Sequence, residues 1–161
     1  MIVRLRPAVE QDVDQLVAIA RRSWLSAFAG HAPEALIAYW RTADREPAWY
    51  ARFWPDMIVA EADGAIAGLT QPADDEVNGL WIAPEWQRLG IGRQLLRAAE
   101  ARIIEQSHAR AWLTCSAFNP RAAAFYRACG YRIDRETAQQ HPSGVVETIW
   151  TFARRLDVPA A

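Results

Sequence analysis

The stretch best suited to chemistry is a glycine-containing loop between an apolar run and a helix-like segment, LWIAPEWQRLGIGRQLL over residues 80–96. Gly90 and Gly92 let the backbone approach a ligand closely. The loop leads into a helix start, where free N–H groups and the helix dipole favour an anion such as a phosphate. The pattern therefore predicts a phosphate-bearing ligand that is bound by backbone groups.

Composition excludes several other phosphate-binding and covalent chemistries. All 18 basic residues of the 161 are arginine. Walker A proteins, protein kinases, and Schiff-base or pyridoxal-phosphate enzymes each need a lysine, so these classes are excluded as usually built. A Rossmann fingerprint would need a third glycine where Leu95 stands. The three histidines lack metal-ligand spacing, so we expect no metal. Cys115 and Cys129 are too few for a disulfide framework, and we expect both to be small buried side chains.

Hydrophobic periodicity and turn residues predict the elements that position this loop. An Asp63-Gly64 pair predicts a hairpin turn, and Asn119 is the expected N-cap of a late helix. The aromatic-rich residues 25–56 are expected to form one or two short helices, with rings that fill the core or line a substrate pocket. We expect helices at Glu10–Trp24, residues 92–106 and Pro120–Ala128, and strands at Ile2–Arg6, Met57–Ala62, Ala65–Gln71, Glu76–Ala83, Arg110–Cys115, Tyr131–Asp134 and Val146–Arg154.

This order of elements predicts a single domain over residues 1–161 with an α/β fold of the α+β type and a mixed, largely antiparallel sheet. The formal net charge of −1 argues against a surface built for nucleic acid or an anionic membrane. No segment has the length and composition of a signal peptide or a membrane span. We therefore expect a cytoplasmic protein.

Two motifs resemble a known family. The segment PEWQRLGIGRQLL over residues 84–96 resembles the acyl-CoA signature of the GCN5-related N-acetyltransferases, and NPRAAAFYRACGY over residues 119–131 is similar to the second cofactor motif of that family. RLRPA at residues 4–8, followed by Asp12, is a third match. The resemblance implies a fold of about seven strands with splayed central strands, flanked by about four helices.

The resemblance also implies a reaction, the acetyl-CoA-dependent transfer of an acetyl group directly to a primary amine of a small molecule, amino acid or peptide. Asn119 would contact the pantetheine arm, and Tyr126 would protonate the departing thiolate. Because the pKa of a free thiol is about 8.5 and that of tyrosine is about 10, Tyr126 would act mainly through its position. The backbone of Leu80, Trp81 and Ile82 would bond the pantetheine amides, and backbone N–H groups of Arg88, Leu89, Gly90, Ile91, Gly92 and Arg93 would hold the pyrophosphate.

The general base is a weaker assignment. Members of the family often carry a glutamate near Glu76 that takes the amine proton through water, which makes Glu76 the candidate; a solvated strand end is the alternative. If no bulge intervenes at Gly79, alternation puts Glu76 on the face of Leu80 and Ile82. The branch that acetylates ribosomal-protein N-termini has a glutamate where this chain has Thr114, so that activity is in doubt.

Simpler interpretations remain open at this stage. Asn119 could serve only as a cap, Tyr126 could belong to the core, and Arg88 and Arg93 could be merely solvated. The acidic run 74–76 could favour a cationic amine or form a solvated turn. An alternative function is a non-catalytic acyl-CoA-binding module of the same fold, and a second copy of the chain is a further candidate partner. Acylation of a hydroxyl, or use of a longer acyl group, is a third alternative.

Overall fold

The computed structural model describes residues 1–43 and 46–158 and contains one seven-stranded sheet with the strand order β1-β2-β3-β4-β5-β7-β6. Neighbouring strands are antiparallel except β4 and β5, which run parallel. The strands are β1 (Val3–Pro7), β2 (Ile58–Ala62), β3 (Ala65–Ala73), β4 (Glu76–Ile82), β5 (Arg110–Ser116), β6 (Arg132–Gln140) and β7 (Val146–Arg155). The mixed sheet predicted from the sequence is confirmed.

Helices cover both faces of this sheet. They are α1 (Val13–Phe28), α2 (Glu34–Thr42), α3 (Glu46–Phe53), α4 (Ile91–Glu105) and α5 (Pro120–Ala128), with short 3-10 turns at Glu10–Asp12, Trp54–Asp56 and Pro84–Trp86. Buried residues of α4 and α5 pack with β5 and β7 on one face. Those of α1 and α3 pack with β2 and β3 on the other. Across the described ranges, every helix is too short or too polar to cross a membrane.

Most of the expected elements occur, with two extensions. Asp63 and Gly64 form the predicted hairpin turn, with positive φ angles of 50° and 80°, and α2 and α3 are the short helices expected within residues 25–56. Helix α1 continues beyond Trp24 to Phe28. Strand β6 continues to Gln140, well beyond the expected end at Asp134, and all nine of its residues are exposed. An edge strand exposed on both faces has no alternating hydrophobic pattern, so its length was not visible in the sequence.

The central feature of the fold is an opening between β4 and β5. In the described chain these strands pair at a single register position, Glu76 with Trp112. Two hydrogen bonds from Trp112 stabilise that contact: its backbone N–H donates to the Asp75 carbonyl at 3.0 Å, and its indole Nε1 donates to Asp75 Oδ1 at 2.8 Å. Beyond this point the facing edges of β4 and β5 are not bonded to each other. The resemblance to the family led us to expect such splayed central strands.

A partly buried ion pair stabilises the start of α1. Arg6 on β1 donates to both carboxylate oxygens of Asp12, at 2.7 and 3.1 Å, and Arg6 Nε donates to Glu61 on β2 at 3.0 Å. The Val9 backbone N–H also donates to Asp12 Oδ2 at 2.9 Å. The Arg6 guanidinium, assisted by the Val9 N–H, lowers the pKa of the Asp12 carboxyl below its usual value. Arg6 and Asp12 together therefore join the first two strands to the start of the first helix.

We expect Asp12→Asn to lower the free energy of unfolding by about 1–3 kcal/mol at neutral pH, because it removes a charged partner from a nearly buried site. A carboxyl with a depressed pKa stabilises the fold above its unfolded pKa, and this contribution is lost as pH falls through its folded pKa. Urea unfolding from pH 7 down to pH 3 should therefore show the variant and the wild type converging. Asp14→Asn, at an exposed position of the same helix, is the control and should change little; an equal loss in both variants would contradict this role.

Candidate active site

A cavity of about 490 Å³ lies beside the end of β4, where β4 has no β5 partner. Four segments supply its walls: the end of β4, the glycine loop with the start of α4, one side of α5 along its length, and α1. Helix α1 contributes Ser23 and Ala27 from the opposite face of the sheet. The lining residues are Ser23, Ala27, Leu80, Trp81, Ile82, Trp86, Gln87, Arg88, Gly90, Gly92, Arg93, Asn119, Arg121, Ala122, Ala124, Phe125, Tyr126 and Ala128.

The edge of β4 presents backbone groups to this cavity. The Ala83 N–H donates to the Ala67 carbonyl of β3 at 2.9 Å. In an antiparallel pair every second residue bonds to the neighbouring strand, so the next residue of β4 that bonds to β3 is Trp81. The N–H and C=O groups of Leu80 and Ile82 consequently point away from β3, toward the gap. Because β5 does not pair with them, the Leu80 groups and the Ile82 N–H are available to a ligand.

The glycine loop is shaped to hold an anion. Arg88 and Gly90 both have positive φ angles, 66° and 83°, and Gly90 is the N-cap of α4. Left-handed residues next to helical ones turn successive N–H groups into one concave surface, which is a known anion-binding arrangement. The first N–H groups of α4 are free of helical partners until Gln94 N–H, which donates to the Gly90 carbonyl at 3.2 Å. Arg88, Arg93 and Arg121 add positive charge to the walls, and no acidic residue lies among the described lining residues.

Helix α5 brings the second motif to the same cavity. Asn119 Oδ1 accepts a hydrogen bond from the Ala122 N–H at 3.1 Å, which confirms its capping role. Its amide nitrogen has no partner among the described residues, so capping leaves a donor for a ligand. Tyr126 is 8% exposed and packs against Phe125, Tyr131 and Phe152. Its hydroxyl likewise has no hydrogen-bond partner in the described chain, so Tyr126 is both a core residue and part of the cavity wall.

The cysteines are inert side chains beside Tyr126. Both Cys115 and Cys129 are free and buried, as the sequence led us to expect. Burial raises the pKa of the Cys115 thiol to about 11, and burial also raises that of Cys129. Neither thiol is therefore a nucleophile at neutral pH, and burial, followed by the nearby cysteines, raises the pKa of Tyr126. Groups of three or more metal-ligating side chains do not occur in the ranges described.

A bulge in β4 corrects the expected face of Glu76. Thr70 pairs with Leu80 but Pro72 pairs with Val77, so Asn78 and Gly79 lie opposite the single residue Gln71. Gly79 has a φ of 110°, and its carbonyl accepts a hydrogen bond from Thr70 Oγ1 at 2.9 Å. The bulge reverses the alternation between the two ends of the strand.

As a result, Glu76 does not share a face with Leu80 and Ile82. Val77 and Leu80 pack on the side of α4 and α5, and Trp81 packs on the side of α1. Glu76, adjacent to Val77, therefore points toward the α1 side, the face of Trp81. Burial and then the neighbouring Asp75 charge raise the pKa of Glu76. Glu76 stands at the closed end of the gap and is not one of the residues that line the cavity.

Nearly all other predicted cofactor residues lie around the cavity. The exceptions are Leu89, whose side chain is 49% exposed, and Ile91, which is buried in the core; the prediction concerned their backbone N–H groups. Sequence reasoning missed Ser23. The signal was present, because a serine on the core-facing side of an amphipathic helix needs a polar partner.

Residues 14–131 match the Acetyltransferase (GNAT) family. The chain belongs to this family. That result confirms the recognition and the enzyme class that were predicted from the sequence. Uncharacterized N-acetyltransferases of Mycobacterium bovis and Mycobacterium tuberculosis are each 29% identical over a 133-residue alignment that covers 76% of this chain and 85% of the relative.

Solved structures of the family share the fold. A GCN5-related N-acetyltransferase of Rhodopseudomonas palustris superposes with a TM-score of 0.84 at 21% identity, covering 97% of this chain and 99% of that one. The PaiA N-acetyltransferase of Thermoplasma acidophilum, solved with coenzyme A, gives 0.72 at 20% identity over 92% and 98% of the chains. YncA of Salmonella typhimurium, solved with acetyl-CoA, gives 0.74 at 19% identity over 100% and 98%.

Two glycine substitutions distinguish the roles of the loop glycines. Gly90→Ala should lower the free energy of unfolding by about 1 kcal/mol, because a Cβ is disfavoured in the left-handed region. Gly92 has no positive φ, and an added Cβ would meet Phe125 and Ile82 at ordinary contact distances of 3.5 and 3.6 Å. Gly92→Ala should therefore keep or slightly raise stability, since alanine favours the helix. Urea unfolding of both variants measures the difference, and equal effects would contradict this loop geometry.

Proposed function

We propose that the chain forms one domain that binds acetyl-CoA in the cleft between β4 and β5 and transfers its acetyl group to a primary amine. One observation carries the proposal. A single cavity joins the free edge of β4, the anion-binding loop and the wall formed by α5. A ligand with a phosphorylated end, an amide-bearing arm and a thioester matches these three walls in order. Family members solved with coenzyme A and acetyl-CoA support this choice of donor.

Different residues of the cleft would bind different parts of the cofactor. Backbone N–H groups of the Arg88–Arg93 loop would bind the pyrophosphate, assisted by the side chains of Arg88, Arg93 and Arg121. The arm would lie beside β4 in the position of a missing strand and bond the free groups of Leu80 and the Ile82 N–H. The Asn119 amide would donate to the arm from the α5 side. The thioester then lies toward the closed end of the cleft.

The transfer itself needs no enzyme nucleophile. The neutral amine attacks the thioester carbonyl, a C–N bond forms, and the C–S bond breaks as the tetrahedral intermediate collapses. A cleft-facing N–H of β4 can stabilise the oxyanion. The amine proton passes to a base, and coenzyme A leaves as a thiol or thiolate. The buried, protonated thiols of Cys115 and Cys129 are consistent with direct transfer.

Tyr126 would stabilise the departing sulfur. Burial raises its pKa, so the hydroxyl stays protonated throughout the working pH range. A thiol is a stronger acid than this tyrosine, and Tyr126 would therefore act chiefly as a positioned hydrogen-bond donor to the thiolate. Its hydroxyl has no partner among the described residues, which supports this role because none of them competes for the donor.

The acceptor would approach from the α1 side of the sheet. Glu76 points toward that face beside Trp112, with Asp75 next to it, and two carboxylates would attract an amine in its cationic form. Trp49 on α3 is 43% exposed and donates through Nε1 to Gln71 Oε1 at 3.2 Å, opposite the bulge. The exposed ring of Trp49 favours an amine with an apolar portion, from a small molecule or a peptide. Cytoplasmic location and pairing with a second copy remain predictions from the sequence.

A thiol-release assay tests the activity. Acetyl-CoA is incubated with the protein and a panel of amines with and without apolar portions, and free coenzyme A is measured. Release that depends on an amine, together with the acetylated product by mass spectrometry, is the expected result. Tight acetyl-CoA binding without amine-dependent release would instead support the non-catalytic binding module. Propionyl- and succinyl-CoA in the same assay, with hydroxyl acceptors included, address the remaining alternatives.

Replacing the proposed hydrogen-bond donor should slow turnover selectively. Tyr126→Phe should lower kcat by about 10- to 100-fold, because the leaving thiolate loses its donor while the ring continues to fill the core. The affinity for coenzyme A, measured by calorimetry, should hardly change. Tyr50→Phe removes the hydroxyl of another buried tyrosine outside the cavity and is the matched control. Wild-type turnover by Tyr126→Phe would remove Tyr126 from the mechanism.

The pH profile tests Glu76 as the base. A base works when deprotonated, so kcat/KM should fall as pH drops through the raised pKa of Glu76. Asp75→Asn keeps an oxygen acceptor for the Trp112 indole but removes the like charge, so it should shift this acidic limb to lower pH. Glu76→Gln should lower kcat/KM and remove the limb. An unchanged pH profile in both variants would exclude Glu76 as the base. The ionisation of the amine substrate is common to all three proteins and serves as the internal reference.

A further inference from the structure

The carbonyl of Ile82 differs from the other cleft-facing groups of β4 because it is already occupied. Ser23 Oγ on α1 donates to it at 2.8 Å, and Gln87 Nε2 donates to it at 3.0 Å. A backbone carbonyl has two lone pairs. Two protein donors therefore saturate the Ile82 carbonyl before any ligand arrives.

This saturation limits how an amide-bearing arm can bind. On the cleft edge of β4, the remaining groups are the Leu80 N–H, the Leu80 carbonyl and the Ile82 N–H. An N–H donor of the ligand then has one acceptor between the bulge and the end of the strand, the Leu80 carbonyl. Binding displaced by two residues along the strand, a shift of about 6.6 Å, would require the Ile82 carbonyl to accept instead. The ligand is thus restricted to one register.

We propose that Ser23 is a positioning residue for acetyl-CoA, which acts through the Ile82 carbonyl to hold the pantetheine-binding edge of β4 in one place and register. The proposal rests on the proposed function of the cleft. Ser23 is 3% exposed and lines the cavity together with Gln87. Its hydroxyl is the side-chain donor that α1 supplies to β4 in the described chain.

The location of Ser23 explains why a hydrogen bond is needed there. At Ile82, strand β4 has no β5 neighbour, so its open edge is held by side chains rather than by a sheet ladder. Gln87 reaches back from the loop that follows the strand, whereas Ser23 comes from a separate helix on the other face of the sheet. The next residue, Trp24, stacks on Phe28 with ring centroids 4.5 Å apart. Through its bond to Ile82, Ser23 therefore connects β4, which would bind acetyl-CoA, to α1, which borders the proposed acceptor side.

The test compares two ligands on the full-length protein. Coenzyme A contains the pantetheine arm; adenosine 3′-phosphate 5′-diphosphate has the phosphates without the arm. Ser23→Ala should weaken coenzyme A binding by about 3- to 10-fold, because the ligand must then order a strand edge that the hydrogen bond no longer holds, and should leave the binding of the arm-less ligand unchanged. The KM for acetyl-CoA should rise by the same factor while kcat at saturation is retained. Gln87→Ala, which removes the other donor, should likewise weaken the binding of coenzyme A more than the binding of the arm-less ligand.

Ser26→Ala is the matched control, because Ser26 is exposed on the same helix, and it should bind both ligands as the wild type does. Unchanged coenzyme A binding by Ser23→Ala would overturn the positioning role. Equal loss of both ligands would also overturn it, since that result indicates general damage to the fold. A wild-type protein that binds neither ligand would overturn the proposed function itself, and with it the proposal, so the two failures are distinguishable.

Discussion

The structure depends on one parallel contact between β4 and β5. Glu76 pairs with Trp112, and Asp75 accepts both the backbone and the indole N–H of that tryptophan. Buried or strand-edge polar groups need partners, yet beyond this contact β4 has no neighbour on one side. The gap therefore creates a row of unsatisfied backbone groups that a ligand with amides can satisfy. If β4 and β5 paired along their whole length, the sheet would be more regular but would have no cleft.

The proposed phosphate site depends on backbone geometry more than on side-chain charge. The absence of lysine excludes the usual phosphate loop, and the structure has instead a left-handed Arg88, a left-handed Gly90 and the open N-terminus of α4. Arginines stand around this site on exposed positions, where their contribution to affinity is modest and screened by salt. The N–H groups of the loop have fixed positions, so they need little reorganisation when an anion binds.

Local signals predicted the motifs and most of the elements. Asn119 was recognisable as a cap and Asp63-Gly64 as a hairpin, because each depends on residues close in sequence; the two cofactor motifs were expected in one site only through the resemblance to the family. The face of Glu76 was predicted from strict alternation along the strand, which holds only if no bulge occurs at Gly79. At the bulge, Thr70 on the adjacent strand donates a hydrogen bond to the Gly79 carbonyl. The length of β6 was hidden, since an edge strand exposed on both faces does not need a hydrophobic pattern.

By itself, the sequence determined the family and the α/β class, and it predicted the anion-binding loop and nine of the 18 residues that line the cleft, because these reside in short contiguous patterns. Only the tertiary structure decided where Glu76 points, and that Ser23 shares the Ile82 carbonyl with Gln87. Those features join segments far apart in the chain. Their physical cause is the requirement that every buried polar group finds a partner, and which partner is available depends on how helices pack against the open edge of a sheet.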